Sequence, residues 1–378
     1  MDKNRSQQNA TRAIFFISGF GTASWAPLVP VLKTRLVLSE DVISMMLLCI
    51  GIGSLITMPL SGTAASRFGC KKVLTGAGVM AAVLLIAICE APSFKLLIPT
   101  LLLFGGTMGC IDVVQNIQAV FVEKASGHRV MSGMYAPWSI GSFCGAGLFG
   151  VWVGVFGFSP FISTLIAAII MIAILKRFRK DFLPHGGERS RNIIAIPKGV
   201  VALVGVIICI AFLVEGAIMD WGGVLLTVNK HFDISLAGTA FAVFSAAMFI
   251  MRLIGDGLVQ TLNQKFVVLC SGLLAIIGFL MVIFSVSLPL LYAGFFLIGF
   301  GSANIIPIFF SLLGKQNVMP VNMAVPAVCT LGYLGVLMGP ALIGFIGHYT
   351  NLFVAFGFMA VLLAVQMLIA IGVFKKVL

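Results

Sequence analysis

Residues 199–226 read GVVALVGVIICIAFLVEGAIMDWGGVLL, and apart from Glu215 and Asp220 they carry no charge. Up to Glu215 the run is apolar without a break. A helix that spans hydrocarbon needs about 20 apolar residues. It also closes its own backbone hydrogen bonds, which a lipid environment demands. The run does not alternate at every second residue, as a barrel strand of about ten residues would. It therefore reads as a transmembrane helix. Working outward, eleven further segments read the same way: 13–32, 42–65, 73–90, 95–122, 131–155, 158–175, 237–260, 266–286, 288–313, 322–346 and 353–374.

Composition agrees. Of 378 residues, 60% are hydrophobic and 10% charged, with a mean hydropathy of +1.14. Soluble domains are about one quarter charged, and they avoid the large apolar patches that this chain would have to expose. The expected class is an all-α integral membrane protein with twelve transmembrane helices, its partner the lipid bilayer. Residues 1–12 are polar, but segment 13–32 has no small-residue cleavage site and runs into Pro27, Pro30 and Lys33, so no cleaved signal is expected.

Just before the opening stretch lies the longest polar segment, 176–198, KRFRKDFLPHGGERSRNIIAIPK. It divides the chain into an N-terminal six-helix bundle (1–175), a linker (176–198) and a C-terminal six-helix bundle (199–378). The net charge of +12 sits mostly on one side of the expected topology. Of 24 Lys and Arg, all but Lys33, Arg35, Lys95, Lys230 and Arg252 fall in tails and loops on the side of the N-terminus, among them Arg67, Lys71, Lys72, Lys176, Arg177, Arg179, Lys180, Arg189, Arg191, Lys375 and Lys376. This is the positive-inside bias. It places both termini in the cytoplasm and argues against nucleic-acid binding. The eight cysteines are scattered singly, without metal or redox spacing, and read as small packing residues.

The halves repeat. A shift of 194 residues lays Gly141, Gly145, Leu148 and Gly150 on Gly335, Gly339, Leu342 and Gly344, Gly78 on Gly272, and Gly105 on Gly299. Six crossings return the chain to its starting side, so the bundles share orientation. In transporters built this way the substrate site is expected between the halves near the midplane. The paired glycines also let helices approach closely, which packing alone explains.

The loop after the second segment, Gly62-Thr-Ala-Ala-Ser66-Arg67-Phe-Gly69-Cys70-Lys71-Lys72, resembles the cytoplasmic signature G-x-L-x-D-R-x-G-R-K of the major facilitator superfamily. Arg67, Gly69, Lys71 and Lys72 match, while Ser66 stands in place of the acid. Asp112-Val-Val-Gln-Asn116-Ile-Gln118, Trp138-Ser139-Ile-Gly141 and Glu215-Gly216-Ala-Ile-Met-Asp220-Trp221 are similar to a poorly characterised bacterial branch near the fucose:proton symporters. The resemblance implies the major facilitator fold, residence in the bacterial cytoplasmic membrane, and a central cavity lined by the first, fourth, seventh and tenth spans.

Ionisable groups within spans cost about 2.5–3.5 kcal/mol each at the bilayer centre and mark candidate functional positions. Asp112, Glu215 and Asp220 are the candidate proton-coupling acids. Asp112, Gln115 and Asn116 share one helical face by spacing. Glu215 and Asp220 lie about 140° apart around a regular helix, and share a face only if Gly216 loosens the turn. Trp25, Trp138 and Trp221 are placed to stack on a sugar or flat ligand, or to anchor at the interface. With Gln115, Asn116, Gln118, Asn304 and Tyr333 they complete the candidate substrate site. Arg252 and Asp256, at i and i+4, can pair with each other or across the bundle. With Arg67 and Lys71 they are the candidate gate. Pro27, Pro30 and Pro307, with Gly19, Gly21, Gly299 and Gly301, predict irregular first and tenth spans.

His128, His185, His231 and His348 lie in loops or at helix ends without metal spacing, and no nucleotide-binding loop is present, so no metal, no cofactor and no enzymatic activity are expected. The reading is a monomeric secondary transporter: proton-coupled uptake of a small polar solute such as a sugar, by alternating access. The alternative is proton-linked efflux of drugs or metabolites. It is disfavoured by Ala146, where the G-x-x-x-G-P-x-x-G signature of drug antiporters has its proline in the fifth span; the proline is Pro340, in the eleventh. A non-transporting receptor or assembly factor would have no use for acids at mid-membrane depth.

Overall fold

The structure is a computed structural model that describes residues 3–188 and 196–377. Arg189, Arg191 and linker residues 189–195 lie outside the described residues. Among the described residues there are fourteen α-helices and no strand: α1 (Lys3–Trp25), α2 (Leu28–Leu36), α3 (Glu40–Phe68), α4 (Cys70–Cys89), α5 (Phe94–Ser126), α6 (Met131–Gly154), α7 (Pro160–Phe178), α8 (Val200–Val224), α9 (Thr239–Leu262), α10 (Gln264–Phe284), α11 (Leu288–Ser302), α12 (Ile305–Leu313), α13 (Val321–Tyr349) and α14 (Leu352–Val377). They give twelve helical spans long and apolar enough to cross a membrane. All twelve apolar segments read from the sequence are found.

Two spans are interrupted. The first breaks at Ala26–Pro27 between α1 and α2, and the tenth at Ala303–Asn304 between α11 and α12. The seventh is regular through Val224 and then widens into a π-turn, Leu225–Asn229. One boundary differs from the sequence reading. The polar residues before position 13 continue the first helix back to Lys3, because they have partners on α5: Gln118 donates to the Thr11 hydroxyl at 3.0 Å and Asn4 donates to the Ala125 carbonyl at 3.3 Å.

The chain forms two compact units. One comprises Met1–Gly127, Met134–Ala195 and Pro320–Ala327; the other comprises His128–Gly133, Ile196–Met319 and Val328–Leu378. In the first unit α5 packs along α3, α4 and α1, with α7 against α4 and α1; in the second α11 packs along α9 and α10, with α14 against α8 and α10.

The repeat seen in the sequence is steric. A Cβ on Gly105 would strike the Ile50 carbonyl, and one on Gly299 would strike the Phe244 carbonyl, 194 residues further on. Gly141 faces the Phe16 backbone and Gly335 the Cys209 backbone; Gly78 lies under Leu175 and Gly272 under Met367. In each unit small residues bring helix backbones to a distance that a side chain would forbid. The tight turns repeat too. Gly69 (φ 83°) joins α3 to α4 and Asn263 (φ 73°) joins α9 to α10 at the same offset. Glycine adopts positive φ freely and asparagine does so more readily than other residues.

Candidate functional site

In the first unit the polar face of α5 folds into a connected network. Gln115 Nε2 donates to Asp112 Oδ1 at 3.0 Å, and Asn116 Nδ2 donates to the Asp112 carbonyl at 2.8 Å. Asn116 Oδ1 then accepts the Tyr135 hydroxyl of α6 at 2.5 Å. The Tyr135 ring packs 4.7 Å from Phe15 of α1, so three helices hold one acid face. Gln115 and Asn116 are almost fully buried, whereas Asp112 is half-buried. Its carboxylate is held by the Gln115 amide, while Asn116 holds the backbone carbonyl of the same residue. Buried Gln115 Oε1 has no hydrogen-bond partner among the described residues, leaving an acceptor beside the acid.

Tyr135 is absent from the candidates drawn from sequence. Its signal was faint: it is one of only four tyrosines and lies next to Pro137 and Trp138 in an otherwise apolar span. Gln118, by contrast, is directed elsewhere. It is fully buried, donates to Thr11 and accepts from the Leu183 amide at 3.2 Å.

In the second unit Glu215 of α8 is half-buried, within electrostatic reach of the Arg252 guanidinium of α9. Arg252 is only 4% exposed. Asn304 sits at the α11–α12 break, fully buried. Its Nδ2 donates to the Met251 carbonyl at 3.5 Å, and its amide lies against Gly255, where a Cβ would collide with it. Asn304 Oδ1 has no hydrogen-bond partner among the described residues. The break in the tenth span thus meets α9 through Asn304, at Met251 and Gly255 on either side of Arg252 in the chain. Asp220 is exposed near the C-terminal end of α8 and does not join Glu215, since the helix stays regular past Gly216.

The aromatic candidates take separate positions. Trp25 is buried at the end of α1. Trp138 is half-buried, and its carbonyl is met by Gly19. Trp221 donates its indole N–H to the Pro340 carbonyl at 3.2 Å and lies over Gly344. Tyr333 is half-buried on α13.

Of the gate candidates, Arg67 is exposed, over the Phe68 ring, and the Lys71 amide donates to the Leu183 carbonyl at 2.8 Å. The signature-like loop is thereby tied to the start of the linker, with Gly69 against Pro184. Asp256 accepts the Ser132 and Gly133 amides at 2.9 and 2.8 Å. These are first-turn N–H groups of α6, which have no partner within their own helix, and a carboxylate there is favoured by the helix dipole. No group of three or more His, Cys, Asp or Glu able to hold a metal ion is found among the described residues.

Twelve apolar helical spans, packed in two compact units through small residues and carrying carboxylates within spans, are the architecture of a membrane transporter. The profile of the Major Facilitator Superfamily matches residues 13–318, and the chain belongs to that family. An uncharacterised transporter of the superfamily from Yersinia pestis is 42% identical over 365 residues, covering 95% of this chain and 93% of that one. An uncharacterised transporter of Sinorhizobium fredii is 31% identical, covering 93% and 94%. Among solved structures, the Escherichia coli fucose:proton symporter aligns with a TM-score of 0.74 at 16% identity, over 97% of this chain and 98% of that one. A human organic anion transporter aligns with a TM-score of 0.76 at 15% identity, over 98% and 100%. At such identities the structural likeness concerns the fold alone. The protein is a multi-pass membrane protein of a transporter family.

Proposed function

We propose that this chain takes up a small polar solute such as a sugar, coupled to protons, by alternating access in a bacterial cytoplasmic membrane, with both termini in the cytoplasm and as a monomer. The observation that carries the reading is the Asp112 carboxylate: it sits mid-span, accepts from Gln115, and lies on a polar helix face that Asn116 and Tyr135 complete. Glu215, under the influence of Arg252, is the second proposed coupling acid, in the other unit and at a position unrelated to Asp112 by the repeat. A carrier needs an acid that loads on one side and unloads on the other, and an intramembrane carboxyl with an oriented partner suits that cycle. Gln115, Asn116, Asn304, Tyr333 and the three tryptophans are the proposed solute contacts, Gln115 and Asn304 each offering a buried acceptor without a partner among the described residues. Gln118 is left to structure. Asp256 of α9, bonded to the first-turn amides of α6, is with Arg252, Arg67 and Lys71 the proposed gate. A fucose:proton symporter and a proton:xylose symporter among the structures of similar fold support the choice of a sugar.

The test is solute flux in proteoliposomes with an imposed pH gradient. Asp112→Asn or Glu215→Gln is expected to abolish accumulation driven by the gradient while the protein still folds. Retained pH-driven uptake in both variants would end the proton assignment. Movement of solute only against inward proton flow would replace uptake by efflux.

A further inference from the structure

The outer end of the first helix of each unit carries the same cationic clasp. In the first unit the Arg35 guanidinium of α2 donates to the Cys89 carbonyl and, at 2.9 Å, to the Ala91 carbonyl. In the second, Lys230 Nζ donates to the Ile283 carbonyl at 2.8 Å and the Ser285 carbonyl at 2.6 Å. The acceptors lie 194 residues apart pair by pair, at the C-terminal ends of α4 and α10. Carbonyls there have no partner within their own helix, and a cation is favoured by the dipole.

The backbone around each clasp repeats as well. Val37 (φ 52°) and His231 (φ 60°) follow the clasping residues, again 194 apart, and both hold a positive φ that costs side-chain-bearing residues energy. Behind each clasp lies an irregularity: the Ala26–Pro27 break before α2 in one unit, and the π-turn Leu225–Asn229 in the other. A short end segment, α2 beyond the break in one unit and the π-turn in the other, is thus irregular, ends on a strained residue, and is held to the rest of its unit by one cation. Lys230 is further seated over the Phe353 ring at 4.7 Å.

We propose that Arg35 and Lys230 are latches on matched carbonyls, each holding the irregular end of its unit's first span (Leu28–Leu36 beyond the Ala26–Pro27 break, and the π-turn Leu225–Asn229) so that it can loosen and move without unfolding the unit. A plain structural staple would not need a break, a latch and a strained residue in the same order twice. The inference is independent of solute and coupling ion, so its failure leaves the proposed function standing.

The experiment is hydrogen–deuterium exchange of the full chain in lipid nanodiscs, comparing wild type with Arg35→Gln, Lys230→Gln, and the cation-retaining Arg35→Lys and Lys230→Arg. Exchange in peptides spanning 28–37 is expected to rise about tenfold in Arg35→Gln and that in 225–232 in Lys230→Gln, as loss of a charge-assisted bond predicts. Each change should be confined to its own segment and largely reversed by the cation-retaining variant. No rise in either Gln variant would show that the clasps hold nothing. A rise spread over all helices of the unit would make them staples of global stability and overturn the latch. If a Gln variant folds poorly, the cation-retaining variants still separate the two outcomes, since a latch needs only the charge.

Discussion

The two units are alike where helices touch and unlike where the polar groups within their spans lie. Gly105 on Ile50 is repeated by Gly299 on Phe244, and Arg35 on Cys89 by Lys230 on Ile283. Yet the same 194-residue shift carries Asp112, Gln115 and Asn116 onto Ile306, Phe309 and Phe310, all buried and apolar. Glu215 answers to Gly21, Arg252 to Met58 and Asp256 to Gly62. Packing has remained paired because a backbone contact tolerates no side chain, whereas a polar face is free to diverge as long as its own unit satisfies it. A symmetric scaffold therefore carries asymmetric chemistry, with a braced acid in one half and an acid beside an arginine in the other.

The comparison can be broken most forcefully at the glycines. Gly105→Val and Gly299→Val should each destabilise by about 3 kcal/mol or more, through overpacking against a carbonyl that cannot retreat. Thermal unfolding in detergent measures this. If only one of the pair is damaging, the repeat is one of sequence and not of packing. A smaller effect is expected at Tyr135→Phe, which removes the hydroxyl from Asn116 and should cost about 1–2 kcal/mol in stability. That change should lower pH-driven flux more than it lowers stability, and equal losses would assign the tyrosine to structure alone. Trp221→Phe deletes the bond to the Pro340 carbonyl and should cost about 1 kcal/mol, read in the same unfolding assay. The smallest effect concerns Asp233, whose carboxylate caps the Ser235 amide and side chain and is held below the usual range by those bonds. Its lowered folded pKa means the cap is fully present above the ordinary aspartate range near about 4 and is lost only as pH falls further. Exchange of the Ser235 amide should accordingly be unchanged between pH 7 and 5 once corrected for the intrinsic rate, and Asp233→Ala should accelerate it without shifting global unfolding.

Much of the site was legible. Asp112, Gln115 and Asn116 share a face by spacing alone, and the structure joins them. Glu215 and Arg252 stood out as charges within spans, and they interact. The irregular first and tenth spans followed from Pro27 and from Gly299, Gly301 and Pro307, and both spans are interrupted. Tyr135, the Asp256 bonds to the Ser132 and Gly133 amides, and the clasps of Arg35 and Lys230 were not legible. Each joins a side chain to a group far along the chain, often a backbone amide or carbonyl, and every residue has those regardless of its identity.

The sequence by itself determined the twelve helices, the duplication and the identity of the charges allowed inside spans, because hydrocarbon admits apolar helices and penalises everything else. Tertiary structure alone decided which polar groups meet. It turned Gln118 to Thr11 and the linker, left Asp220 exposed, and gave Asn116 to Tyr135. Periodicity is a local property of the chain, while a hydrogen bond between helices depends on their rotation and depth, which packing of all the neighbouring side chains fixes together.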